Sequence, residues 1–228
     1  MIRQFSPQKK ICEVALEDIQ QALIKIFVKW GLPKWIKVDN GRPFGDPQLE
    51  LIPPLALWLI SLGIQVIWNR PRTPQDNAKV ERSQGIMANW TELSKCQNTE
   101  HLRSRLHREA YFHNYHFPIR RWKNKKKIER FPELAFTGKS YEPENFDMQR
   151  ALDFLAQASW QRTVSKNGQV NLYGKRYNLG TMRKHQIISI KLDPNLNQWV
   201  FFDTQGEPIK QYNTNFSKQS ITNLDFSN

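Results

Sequence analysis

The sequence predicts a mixed α/β protein whose carboxyl-terminal third is all β. An amphipathic helical pattern and a shorter apolar one alternate with two apolar strand-like runs, which is typical of a sheet layered with helices. Two acidic residues stand where the first of these runs ends and where a later helix begins. From Trp160 onward, five or six short alternating runs are separated by Gly- and Asn-rich turns, which favours a small β-barrel over residues 160–214.

The elements of the first part follow one another at short spacing. Apolar residues recur every three or four positions from Cys12 to Trp30, so we expect a helix there that ends at Gly31. The next elements are a strand leading up to Asp39, a short apolar helix over residues 53–62 ended by Gly63, and a strand over residues 64–68. The two strands should be neighbours in one sheet. A sheet covered by helices would bury Leu55, Leu59, Val66 and Ile86.

Two carboxylates mark the ends of these elements. Asp39 comes directly after an apolar strand, and Asn40-Gly41 turns the chain behind it. Glu81 lies about one turn inside a helix that opens after a Pro-rich, basic loop. Metal ions held by such side chains promote in-line displacement at phosphodiesters, and Mg²⁺ prefers oxygen ligands. The pair therefore predicts a metal-dependent nucleic-acid site with Mg²⁺ or Mn²⁺ as its cofactor.

Each carboxylate also has a structural interpretation. Asp-Asn-Gly is a good hairpin turn, and a Glu near a helix start interacts favourably with the helix dipole. Pro43 and the lack of a matching second strand weigh against a hairpin at Asp39.

Three motifs together resemble the second half of the catalytic core in DDE transposases and retroviral integrases, of the bacterial insertion-sequence type. The motifs are Val38-Asp39-Asn40-Gly41, Leu62-Gly63-Ile64 and Arg72-Thr-Pro-Gln-Asp-Asn-Ala-Lys-Val-Glu81-Arg82. The resemblance implies a partial RNase H-like core over residues 1–95, in which Asp39 matches the family's second metal-binding Asp and Glu81 its Glu. The two residues are 42 positions apart, somewhat more than is usual, and we place an insertion at residues 46–54. The resemblance also implies that the carboxyl-terminal barrel is SH3-like.

The first Asp of the family's triad has no counterpart in this sequence. In the family it lies on a strand before the long helix, and here only Met1 to Ile11, with no acidic residue, precede Cys12. Asp18 is the only Asp before Asp39 and falls on the polar side of its helix, where we expect solvated surface. The resemblance thus implies a core truncated at its amino end, with an incomplete triad that binds a metal ion weakly.

The charge balance favours a polyanionic partner, and in this context DNA. The chain of 228 residues has 34 Lys and Arg against 21 Asp and Glu, a formal charge of +13. We predict DNA contacts from residues around Glu81 and from a basic linker over residues 119–130, although ordinary solvated charge is the alternative for each. The predicted DNA-binding residues are Arg70, Arg72, Lys79, Arg82, Arg120, Arg121, Lys125, Lys126 and Lys127.

The remaining organisation is simpler. Residues 96–159 are expected to hold a helical extension, with a helix from Thr99, as its cap, to His116, followed by the linker. Trp122 in the linker either stacks on a base or covers the core. Residues 215–228 form a polar tail, expected to fray.

Several classes of site and location are disfavoured by composition. Cys12 and Cys96 stand alone, so neither a disulfide framework nor a zinc site is supported. His101, His107, His113 and His116 lack carboxylate or Cys partners at ligand spacing and are expected on a polar or DNA-facing surface. No apolar run approaches the roughly 20 residues that span a bilayer, and a signal-peptide core is not seen. We predict a cytoplasmic protein without a membrane partner.

Three functions stay open on the sequence. The first is a transposase or integrase polypeptide for DNA cutting and strand transfer, acting as a homo-oligomer or with a full-length transposase. The second is a catalytically inactive remnant that still binds DNA. The third is a basic structural or RNA-binding protein, against which the pairing of Asp39 with Glu81 argues.

Overall fold

A computed structural model describes residues 15–45, 51–132 and 139–226, and within them the chain is mixed α/β. The helices are α1 (Leu16–Trp30), α2 (Pro54–Ser61), α3 (Ala78–Thr91), α4 (Thr99–Tyr115), α5 (Lys127–Arg130), α6 (Met148–Ala156) and α7 (Lys218–Thr222). The strands are β1 (Trp35–Val38), β2 (Gln65–Trp68), β3 (Trp160–Thr163), β4 (Gln169–Leu172), β5 (Lys175–Asn178), β6 (Ile187–Asp193), β7 (Gln198–Phe202) and β8 (Pro208–Asn213).

The first two strands form a parallel pair, which confirms the predicted neighbours. Trp35 lies opposite Gln65 and Val38 opposite Trp68, so both strands end at the same edge. Parallel strands need a crossover connection. Here α2 provides it and is buried from Leu55 to Ser61.

Both predicted helix ends in this region are confirmed. Gly31 ends α1 with a φ of 80° and donates its N–H to the Phe27 carbonyl at 2.8 Å. Gly63, with a φ of 78°, follows α2. A positive φ is readily adopted by Gly and strained for most other residues. The predicted start of α1 at Cys12 lies outside the described residues, as do residues 46–50 of the proposed insertion.

One continuous hydrophobic cluster joins α1, α2, β1 and β2 to the carboxyl-terminal strands. Its largest fully buried side chains include Trp58, Trp199, Tyr177 and Phe201. Leu55, Leu59 and Val66 are buried as predicted. The prediction for Ile86 is wrong: it is only half-buried, because α3 packs on α4.

The carboxyl-terminal third contains six antiparallel strands, in agreement with the predicted five or six, but the predicted barrel is wrong, because within the described residues the strands do not close. β3, β6, β7 and β8 form one sheet in that order, and β4 and β5 form a separate hairpin. Tyr173 and Gly174, both with positive φ, make the tight turn between β4 and β5. These two strands pair with each other and not with the four-stranded sheet. Side chains connect the hairpin to β8 instead, where Lys210 Nζ donates to the Asn178 carbonyl at 3.0 Å.

The prediction of a frayed polar tail is wrong as far as residue 226. Phe216, Ile221, Leu224 and Phe226 are buried, and α7 packs on α2. The Ser217 hydroxyl accepts from the Ser220 N–H at 3.0 Å and caps the helix. The apolar residues are spaced too irregularly to show a helical pattern in so short a segment.

The helical extension differs from the prediction in its details. α4 is capped by Asn98 and not by Thr99, since the Asn98 Oδ1 accepts from the His101 N–H at 2.8 Å. The linker, expected to lack regular structure, folds into a short 3₁₀ turn at Arg120–Trp122, a bridge between Ile119 and Lys125, and α5. Among the described helices, none has the length and apolar character needed to cross a bilayer.

Candidate functional site

Asp39 lies at the edge where β1 and β2 both end. Its side chain is exposed, and its Oδ1 accepts from the Gly41 N–H at 3.1 Å, which holds the turn. Asn40 Nδ2 donates to the Asn69 carbonyl at 3.0 Å, and the Asn69 N–H donates to the Val38 carbonyl at 2.9 Å. These two bonds join the chain that leaves β1 to the chain that leaves β2, so the Asp39 carboxylate stands on a fixed part of the backbone.

Asp76 ties the loop after β2 back to the sheet. It accepts from the Arg70 backbone N–H at 3.0 Å and from the Arg70 guanidinium at 3.1 and 2.9 Å, and Lys37 Nζ of β1 lies 3.5 Å away. The side-chain and backbone hydrogen bonds from Arg70 hold the pKa of the Asp76 carboxyl far below its usual range. The sequence did not single out this anchor.

The Asp76 tie fixes where α3 begins. Asp76 ends the 3₁₀ turn Pro74–Asp76, and α3 starts two residues later. Lys37 and Asp39 are two residues apart, so the alternation of a strand directs both away from the buried Val38. The start of α3 therefore lies on the side of β1 to which the Lys37 side chain points.

Glu81 lies in the first turn of α3, as the sequence predicts. Its N–H donates to the Asn77 carbonyl at 3.1 Å. Residues 78–85 are all exposed, and the Glu81 carboxylate makes no hydrogen bond or ion pair with any part of the chain that the structure describes. α3 packs on α4 through Trp90 and Phe112, and it is joined to the sheet by the turn at Asp76.

Asp39 and Glu81 suit a hard cation in their chemistry. Both are exposed carboxylates, and Mg²⁺ binds one or two carboxylates while keeping several waters. Within residues 15–45, 51–132 and 139–226, no three Asp, Glu, His or Cys side chains group as a metal site. Asp18 is exposed on α1, as expected, and Asp76 is committed to Arg70 and Lys37. That Asp39 and Glu81 share one ion stays a prediction.

The basic residues near Glu81 divide into free and engaged ones. Arg72, Lys79 and Arg82 are exposed and make no ion pair within the described ranges. Arg70 is also largely exposed, but its guanidinium is bonded to Asp76. Arg70 therefore has a structural role that the sequence did not reveal.

The linker residues divide in the same way. Arg120, Arg121 and Lys125 are exposed. Lys126 Nζ pairs with Glu129 at 3.2 Å. The Lys127 ammonium is directed inward and donates to the His113 Nδ1 at 2.9 Å. No local pattern could indicate this contact, because the two residues are 14 positions apart.

Neither His113 nor Trp122 is freely exposed to solvent. His113 is buried, with its ring 5.2 Å from that of Trp90, which corrects the expectation of a surface histidine. Trp122 is half-buried and packs edge-on against Phe131 at 5.4 Å.

A scan of the sequence against models of known protein families finds no match.

Proposed function

We propose that this chain is a DNA-handling protein of the transposase and integrase type, in which Asp39 and Glu81 hold Mg²⁺ or Mn²⁺ for phosphodiester cleavage and strand transfer. One observation supports this most: Asp39 follows the first strand of a parallel pair, and the loop from the second strand, tied back through Asp76, leads to an exposed Glu81. In this proposal β1, β2 and the surrounding helices belong to an RNase H-like core.

The chemistry divides between the ion and the chain. Divalent ions at such a site would supply Lewis-acid activation of the attacking oxygen and stabilisation of the leaving one, one ion for each in a two-metal site. The two carboxylates would hold the metal, and the tie between Asp76, Arg70 and Lys37 keeps the α3 start in place relative to β1. Lys79 and Arg82, on the same exposed turns as Glu81, would neutralise phosphates of the bound strand.

The charge distribution supports DNA as the partner. Residues 69–132, which we call the basic segment, contain 15 of the 34 Lys and Arg but only 6 of the 21 Asp and Glu. This segment carries +9 of the chain's formal +13, and it includes Glu81. A concentrated positive field of this kind attracts the phosphate backbone without reading its sequence. We include self-association, or association with a full-length transposase, in the proposal.

A second function is favoured by the carboxylate count. Among described residues no three Asp, Glu, His or Cys side chains group as a metal site, and Asp39 and Glu81 are the two proposed ligands. Two ligands hold an ion less firmly than three, and weak positioning slows a reaction that depends on orientation. DNA binding without efficient catalysis is therefore the alternative.

Mn²⁺ binding followed by electron paramagnetic resonance separates these functions. Asp39→Asn and Glu81→Gln should each weaken binding. Asp18→Asn and Glu17→Gln are matched controls, because both residues are exposed in the first turn of α1, and they should leave binding unchanged. A wild-type chain that binds DNA but binds Mn²⁺ no better than the Asp39→Asn, Glu81→Gln double variant supports the alternative. A chain that binds neither DNA nor Mn²⁺ refutes both.

A further inference from the structure

A cavity of about 370 Å³ opens where the end of α1 meets the end of α4 and the linker. Its walls are mainly aromatic, with two polar side chains among them. The aromatic lining residues are Trp30, Tyr115, Trp122 and Phe131, and the polar ones are Asn114 and Lys127. The volume falls within the range of about 300–1,000 Å³ that is usual for small-molecule sites, so it suits a single small group and not a duplex.

Cationic groups lie on three of the cavity's rings. Lys29 Nζ is 5.1 Å from the centre of the Trp30 ring, and the Arg121 guanidinium is 5.0 Å from that of Trp122. The Arg130 guanidinium is 5.1 Å from the Phe131 ring. Cations at these distances are attracted to the ring faces. The aromatic walls are thus surrounded by positive charge supplied by three separate elements.

Lys127 brings a further cation to the cavity itself. Its ammonium donates to the His113 Nδ1 at 2.9 Å and to the Asn114 Oδ1 at 3.4 Å. An ammonium has three donors, so one N–H is left over. No carboxylate pairs with Lys127 within the chain as described.

An ammonium in this setting is costly to the fold. Burial lowers the pKa of Lys127, and burial together with the nearby ammonium lowers the pKa of His113. Removing a charge from water without an opposite charge destabilises a protein. An anion in the cavity would offset this cost by supplying an opposite charge.

We propose that this cavity holds one unpaired nucleotide of a DNA strand, with its base against the aromatic walls and its phosphate facing Lys127 and the surrounding cations. The inference rests on the proposed DNA binding but not on Asp39 or Glu81. Base stacking on aromatic side chains tolerates any sequence, since every base has a π face. A neutral apolar ligand would make no use of the Lys127 ammonium.

The test compares the affinities of a fluorescein-labelled ten-nucleotide single strand and a blunt duplex of the same sequence, by anisotropy. Trp122→Ala should weaken single-strand binding roughly tenfold, as loss of one stacking platform does, and leave duplex binding within about twofold. Trp122→Phe, which keeps a ring, should restore most of the affinity. Trp35→Ala is the matched control, because Trp35 is 57% exposed and does not line the cavity.

The charge in the cavity is tested in the same assay. Lys127→Gln should weaken single-strand binding several-fold more than Lys126→Gln, which removes the same charge next to the cavity but not in it. Adding a free deoxynucleoside monophosphate as a competitor shows whether the cavity binds a single nucleotide on its own. Displacement of the labelled strand at micromolar nucleotide indicates that it does. Displacement only at millimolar nucleotide indicates that the cavity needs the rest of the strand for binding.

Three outcomes would overturn the inference. The first is an equal loss of single-strand and duplex affinity in Trp122→Ala. The second is an equal effect of Trp122→Ala and Trp35→Ala, and the third is an equal effect of Lys127→Gln and Lys126→Gln. Each would show that the cavity does not bind the DNA strand. Duplex binding by the wild-type chain in those cases would leave the proposed function standing. A wild-type chain that binds neither form of DNA would refute the proposed function as well.

Discussion

The basic segment and the rest of the described chain are stabilised in different ways. In residues 69–132 only Thr91 and His113 are buried, whereas Trp58, Trp199 and Phe201 are among many fully buried side chains elsewhere. The basic segment instead contains most of the chain's net charge, and it exposes large apolar groups such as Tyr111 and Phe112. Apolar burial is the dominant stabilising term in folding. The basic segment therefore contributes less to stability and has more side chains available for binding.

The largest expected effect separates the two regions by stability. Trp199 is fully buried against Trp160 and Phe216, so Trp199→Ala should destabilise the protein by about 3–5 kcal/mol. Trp90→Ala, at a half-buried site in the basic segment, should cost less than half as much. Urea unfolding followed by circular dichroism measures both. Equal losses would show that the basic segment is as tightly packed as the core.

The next effect separates the two regions by binding. The variant Arg120→Gln, Arg121→Gln, Lys125→Gln should reduce the salt dependence of duplex binding by about 0.9 in log–log slope for each phosphate that the protein no longer neutralises. The control with the same charge change is Lys166→Gln, Lys184→Gln, Lys191→Gln, whose residues are exposed outside the basic segment. The control should change the slope less. A larger change of slope in the control would indicate that DNA binds at the carboxyl-terminal strands and not at the basic segment.

Features set by neighbouring residues were predictable from the sequence in both regions. Elements with their own periodicity or end signals were predicted, including the α1 end at Gly31, α2, the strand before Asp39 and Glu81 in the first turn of α3. These features depend on residues close in sequence, where a 3.6-residue or two-residue period is visible.

Features set by distant contacts were not predictable. The tie from Asp76 to Lys37 and the inward direction of Lys127 depend on which segments meet in space. The open arrangement of the carboxyl-terminal strands and the burial of Phe226 likewise depend on packing between distant elements. The alternating pattern predicts five or six short strands but not how their edges pair.

A smaller effect tests how the basic segment is joined to the sheet. Asp76→Asn should destabilise the protein at neutral pH, because the hydrogen bonds from Arg70 favour the ionised carboxyl. Since the folded-state pKa is depressed, this contribution is present above the unfolded-state value of about 3.9 and declines as the pH falls below it. The stability difference between wild type and Asp76→Asn should therefore shrink below about pH 4. A difference independent of pH would show that the charge of Asp76 is not what holds the loop.

The smallest effect concerns the Lys127 ammonium. Lys127→Met should leave stability unchanged or raise it slightly, because it removes a partly buried cation while keeping an apolar chain of similar length. Thermal unfolding compares it with Lys126→Met, which breaks the exposed pair with Glu129. A clear loss of stability in Lys127→Met would mean that Lys127 stabilises the fold. The partial burial of its ammonium would then be no reason to expect an anion in the cavity.

The most direct test of the proposed function asks whether Asp39 and Glu81 hold the same ion. Fe²⁺ that replaces Mg²⁺ produces hydroxyl radicals in the presence of ascorbate, and these cut the backbone close to the bound ion. If the two carboxylates share an ion, cuts should appear near residues 39 and 81 together, and Asp39→Asn or Glu81→Gln alone should remove both. Cuts near only one of the two residues, or a variant that removes only its own cut, would contradict a shared site.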